Sequence, residues 1–194
     1  MKAVEIKKRG DFLSLPPVGA YVAEIKQARI VKADGQQKYD SLEMMVDIIE
    51  GEYAGRYTEL YNDQKERFGD SIKYKGIFRL SMPSDDSEDW IDRKFSNNLW
   101  CVQESNPGYE WDEDPKKLKG KKVGINVRKR LYTFNGQDKE TVEIGQFETV
   151  ADVKAGKCRI MRERDTRQNK TESSTDGSGF TDVSKDAPEV PWNT

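Results

Sequence analysis

Apolar and polar residues alternate through 19–32 and again through 38–49, the period-two pattern of strands with one buried face. Asp34-Gly35, a tight-turn dipeptide, stands between them, so the pair predicts a β-hairpin. A two-residue turn there sets Ile25 opposite Met44, Ala23 opposite Val46 and Tyr21 opposite Ile48, with Arg29 meeting Asp40 on the same face nearer the tip. A third strand is expected over 56–61. The period then becomes helical: Ile91, Phe95, Leu99 and Val102 share one stripe, cap chemistry follows Pro83, and Asn106-Pro107-Gly108 is a stop. A helix over 85–104 follows, its aromatic stripe turned to the core. A shorter helix over 65–80 would contain Gly69 and Gly76, which weaken helices.

Segments 123–134 and 139–150 alternate again around Asn135-Gly136 and predict a second hairpin. Its two-residue turn places Val127 opposite Ile144, Lys129 opposite Val142, Arg128 opposite Glu143 and Tyr132 opposite Lys139. Val123, Ile125 and Val127 then point to the core, whereas Lys122, Arg128, Arg130, Tyr132 and Phe134 share the other face. Two hairpins around a third strand, with a helical insertion at about 63–105, predict a mainly β fold: a five-stranded OB-like barrel over 1–158. Other small sandwiches satisfy the same pattern.

Residues 159–194 are expected to form a disordered tail, basic and then acidic. Seven cations oppose two anions over 154–170, and one cation opposes five anions over 171–194. Too few apolar residues stand there to offset the entropy of ordering the backbone. Its proline-flanked end, with Asp186, Glu189, Val190, Pro191 and Trp192, is a peptide that another protein can grip.

Composition removes whole classes of chemistry. The chain of 194 residues has no histidine, and Cys101 and Cys158 stand far apart. The usual general base, nucleophile activator and nitrogen ligand for zinc are therefore missing, and no disulfide framework is indicated. Neither GxxxxGK[ST] nor GxGxxG occurs, and the acids Asp85, Asp86, Glu88 and Asp89 suit a helix start. No catalytic residue, metal or cofactor is expected, and the chain reads as a non-enzyme. No apolar run is long enough to cross a bilayer, and residues 1–10 lack the apolar stretch of a signal peptide, so a cytoplasmic place is expected.

Net charge is only −2, yet residues 116–130 carry eight cations and no anion. Within that stretch begins the outward row Lys122, Arg128, Arg130, Tyr132, Phe134, which offers positive charge for phosphates and flat rings for unpaired bases. Lys26, Lys32, Tyr39, Arg56 and Tyr57 extend the surface from the first three strands. The bland alternative is that Tyr132 and Phe134 cover a small second core against the helix.

The segments Leu15-Pro16-Pro17-Val18-Gly19-Ala20-Tyr21, Ile49-Glu50-Gly51-Glu52-Tyr53-Ala54-Gly55-Arg56, Leu118-Lys119-Gly120-Lys121-Lys122-Val123-Gly124 and Val150-Ala151-Asp152-Val153-Lys154-Ala155-Gly156-Lys157 carry a resemblance. Over most of residues 12–158 the chain resembles a family of bacteriophage proteins from replication and recombination modules, regarded as single-stranded DNA-binding proteins. The resemblance implies an OB-type fold, single-stranded DNA as partner, and the host cell cytoplasm as the place of action. Asp186-Ala187-Pro188-Glu189-Val190-Pro191-Trp192 is similar to the acidic tip with which bacterial single-stranded DNA-binding proteins recruit replication and repair enzymes, although Asn193-Thr194 follow and a dense aspartate run is missing. Self-association stays open, as does a second reading: a protein-interaction module, or a phage inhibitor of a host enzyme, whose acidic segment 85–92 mimics nucleic acid.

Overall fold

The computed structural model describes residues 13–34 and 37–167; residues 171–194, and with them the recruitment tip, lie outside this range. Strands β1 (Gly19–Val31), β2 (Ser41–Ile48), β3 (Ile77–Ser81), β4 (Lys122–Phe134), β5 (Gln137–Glu148) and β6 (Arg164–Thr166) form one mixed sheet. Helices α1 (Arg56–Phe68), α2 (Asp89–Ser105) and α3 (Val150–Lys154) complete the fold among the described residues. The hydrogen-bonded path runs β3-β2-β1-β4-β5, and β6 lies parallel to β4 beyond the point where β1 ends.

The β4–β5 hairpin has the predicted register: Val127 faces Ile144, Arg128 faces Glu143, Lys129 faces Val142 and Tyr132 faces Lys139. Asn135 (φ 51°) and Gly136 (φ 72°) are both left-handed, the conformation that a two-residue turn needs to match strand twist. Gly145 is the extra residue of a bulge that lets Asn126 face Gln146 while Val127 faces Ile144. A Cβ at Gly145 would lie 2.5 Å from Met161 Sδ, so the glycine allows the returning chain to pass close by.

The first hairpin differs from expectation. Strand β1 pairs with β2 through Ala23–Ile48 and Ile25–Val46, then through Ala28–Met44 and Arg29–Glu43. Two causes act together: the connection spans residues 32–40 rather than a two-residue turn, and a bulge falls between Ile25 and Gln27. The bulge reverses the alternation, so Ala28 is buried while Arg29 turns outward to Glu43 instead of meeting Asp40. Asp40 closes the connection, accepting from Lys32 Nζ at 2.7 Å and Ala33 N at 2.8 Å.

The segment expected as a third strand, 56–61, is the start of α1. Asp47 on β2 decides this, because its buried carboxylate accepts from the Tyr57 amide at 3.1 Å, the Thr58 amide at 3.2 Å and the Thr58 hydroxyl. It satisfies first-turn donors that no side chain at the cap position reaches. The helix expected over 65–80 ends at Phe68, and Ile77–Ser81 pairs with β2 as β3, so the insertion is interrupted by a strand.

Ile25, Leu42, Met44, Val46, Leu80, Val123, Ile125 and Val127 fill the core, each contributing roughly 1.5–3 kcal/mol by leaving water where the side chain is Val, Leu, Ile or Met. Ile91, Leu99 and Val102 of α2 are buried as the periodicity required. The sheet is not closed into a barrel. Its end strands approach through Phe78 and Phe147, ring centroids 4.5 Å apart, without a ladder between them. Helix α2 takes the place of a neighbouring strand at Phe147: its amide donates to Asn98 Oδ1 at 2.7 Å, and its carbonyl accepts from Cys101 Sγ at 3.5 Å.

Residues 159–167, expected in the tail, run back along the sheet. Asn126 Nδ2 donates to the Arg159 carbonyl at 2.8 Å, and Arg164–Thr166 pairs with Arg130–Tyr132. The folded body therefore extends past residue 158.

Candidate functional site

Alternation on β1, β2 and β3 brings Arg29, Glu43 and Arg79 side by side on the outer face. Glu43 Oε1 accepts from Arg29 Nη2 at 2.6 Å, and Oε2 from Arg79 Nη2 at 2.5 Å. Burial works to raise the carboxyl's pKa, but hydrogen bonds from Arg79 and Arg29 prevail and hold it below the usual range. One carboxylate thus sits beneath two guanidiniums, leaving positive charge outermost.

Arg79 also lines the cleft between β3 and β5, a cavity of about 370 Å³. Lys75 stands with it on one bank, Arg128, Arg130 and Arg164 on the other, and Lys94 of α2 also lines it, with Glu143 the sole carboxylate among the lining residues. Glu143 Oε1 accepts from Arg128 Nε at 3.0 Å and Nη2 at 2.8 Å, while Arg130 and Arg164 approach the same carboxylate at 3.6 Å. Arg130 Nε is buried and meets no acceptor. Desolvation, then repulsion from Arg128 and Arg164, lowers the Lys94 pKa against the pull of Glu143. Six cations around one carboxylate make an anion-attracting cleft.

Further along β4, past Arg130, the β4–β5 hairpin presents rings. Phe134 is 54% exposed and Tyr132 half-buried, so neither is sealed beneath α2. Arg130 lies 5.7 Å from the Tyr132 ring centroid, and Lys139 lies 4.9 Å from that of Phe134. Charge and aromatic surface are interleaved there.

Of the sequence-predicted residues, Arg128 and Arg130 meet at the cleft with Tyr132 and Phe134 beside them on the same strand. Lys122 is exposed but stands at the opposite end of β4. Lys26 pairs with Glu24 at 2.8 Å and Lys32 with Asp40 at 2.7 Å. The Tyr39 hydroxyl donates to the Asp86 carbonyl at 3.3 Å. Arg56 is drawn inward, donating to the Ser14 carbonyl at 3.4 Å and lying over the Tyr53 ring. Tyr57 is only 2% exposed and belongs to the core, where burial pushes its hydroxyl pKa up; it cannot meet a ligand at the surface. Arg29, Lys75, Arg79, Lys94 and Arg164 were not among the predicted site residues. The period-two run Ile77-Phe78-Arg79-Leu80-Ser81 held a signal for the second bank, hidden by the helical reading of 65–80.

The chain matches no protein-family model and no curated protein. Among the described residues no group of three or more His, Cys, Asp or Glu side chains is placed to hold a metal ion. Burial, with Glu148 and Asp152 nearby, pushes the Cys101 thiol up to about 12 and the Cys158 thiol up to about 11, which keeps both protonated at neutral pH. No described helix is long and apolar enough to cross a membrane.

Proposed function

We propose that this chain is a non-enzymatic, sequence-tolerant single-stranded DNA-binding protein of a phage replication or recombination system. The reading rests on one observation: a cleft with six cations and one carboxylate opens on the strand that carries the half-buried Tyr132 and the exposed Phe134. Phosphates take the guanidinium bank and unpaired bases stack on the rings, the two requirements of single-strand binding without base readout. The strand path, the helix before the fourth strand and the facing end strands suit a partly open barrel of OB type, whose ligand surface lies on such a strand face. Residues 171–194 serve, on their sequence, to recruit replication or recombination proteins.

A salt titration tests the proposal. Oligothymidine should bind more tightly than duplex of equal length, with log affinity falling linearly against log salt. Absence of binding at low salt would overturn the reading and favour a protein-interaction module.

A further inference from the structure

A second cavity, about 830 Å³, lies between α2 and β5, and it shares Lys94, Arg128 and Gly145 with the cleft. The two therefore adjoin across these residues. On its helical bank stand Arg93, Asn97 and Trp100; on the other lie Gln146 and Phe147, with Met161 of the returning segment. Trp100 is 55% exposed and, unlike the comparably exposed Trp90 of the same helix, lines this cavity beside cations. Periodicity explains why it escapes the core: Ile91, Leu99 and Val102 fill the buried stripe of α2, and Trp100 falls on the flank that faces the groove.

The groove has the chemistry of the first cleft. Arg93, Lys94 and Arg128 supply positive charge. Its carboxylate, Glu148, is already engaged, accepting from Asn126 Nδ2 at 2.9 Å and Gln146 Nε2 at 2.6 Å. Asn97 and Gln146 add amide groups to the lining, that of Gln146 donating to Glu148. A partner of apolar protein chemistry would leave the Arg93 and Lys94 charges of the groove unmatched, whereas a polyanion with flat rings satisfies both features.

We infer that Trp100 forms a second stacking subsite, on which a single strand leaving the β4–β5 ribbon lays a base while Arg93, Lys94 and Arg128 hold its phosphates. This inference rests on the single-strand reading above and adds a path: from the hairpin rings, across the Glu143-centred guanidiniums, into the groove of α2.

The test uses the full chain with fluorescein-labelled oligothymidine at low salt, read by anisotropy and by intrinsic tryptophan fluorescence. Trp100→Ala should weaken binding by about 5- to 150-fold, the span of one missing base stack. Trp100→Phe should retain most of the affinity, because a smaller ring still stacks, while abolishing the largest part of the tryptophan quench. Trp90→Ala is the control: Trp90 is 51% exposed on the same helix but lines neither cavity, so affinity should stay within about twofold. Wild-type binding that persists unchanged in Trp100→Ala, or a quench that survives Trp100→Phe, overturns the subsite and leaves the single-strand reading standing. Failure of the wild type itself to bind overturns both.

Discussion

Arg128 and Glu143 face each other across the β4–β5 ladder, and the carboxylate that receives Arg128 at 2.8 Å is the one that Arg130 and Arg164 approach at 3.6 Å. A single negative charge is thus shared by three guanidiniums at the mouth of the cleft. It holds them in place in the free protein and stands where a phosphate oxygen would do the same.

Glu143→Gln should therefore tighten oligothymidine binding. Removing one unit charge about 4 Å from a bound phosphate relieves on the order of 1 kcal/mol of repulsion in water, which is about fivefold in affinity. The gain should shrink as salt rises. Thermal melts should show a lower Tm, since the guanidiniums then repel one another without an intervening anion. Weaker binding at low salt would contradict this role.

Charge and stacking separate by their salt dependence. Arg128→Ala with Arg130→Ala should flatten the slope of log affinity against log salt by about 0.7 for each phosphate that is no longer neutralised. Tyr132→Ala with Phe134→Ala should lower affinity, by roughly 1–3 kcal/mol per unstacked base, and leave the slope nearly unchanged. Parallel titrations of the two double variants check both statements.

The Arg128–Glu143 pairing was legible in the sequence because Asn135-Gly136 admits a two-residue turn and so leaves one register. Asp34-Gly35 resembles that signal, yet the longer connection over 32–40 and the bulge after Ile25 shift the first hairpin. No local pattern announces a bulge of this kind; what it brings about is tertiary, for it turns Arg29 toward Glu43, which Arg79 also reaches. Residues 56–61 misled for a similar reason. Arg56-Tyr57-Thr58 is compatible with a strand by propensity, and the group that starts the helix, Asp47, is contributed by a different element. The aromatic half of the site could be read from one strand, whereas its cationic half is assembled from β3, α2, β4 and β6.

Asp47→Ala should destabilise the fold without touching the cleft. The carboxylate satisfies the Ile48 amide at 2.9 Å as well as the two amides of α1, so its loss strands buried donors, each at about 1–3 kcal/mol. Urea denaturation should show a lower midpoint. Oligothymidine affinity, measured well below that midpoint, should remain within about twofold of wild type.

Acid stability should depend on Glu43. Its folded pKa lies below the ordinary carboxylate value of 4.5, so the folded state holds the ionised form more tightly than the unfolded chain does. The stabilisation is then fully present above about pH 4.5 and is lost as pH falls through the lowered folded value, where protonation releases Arg29 and Arg79. Glu43→Gln has no such proton to take up. Its unfolding free energy should be lower than wild type at neutral pH, and the gap between the two proteins should narrow as pH drops below 4.5. Urea midpoints measured at intervals between neutral pH and about pH 3 would check this; a gap that stays constant across that range would show that the Arg29–Glu43–Arg79 bridge adds nothing to stability.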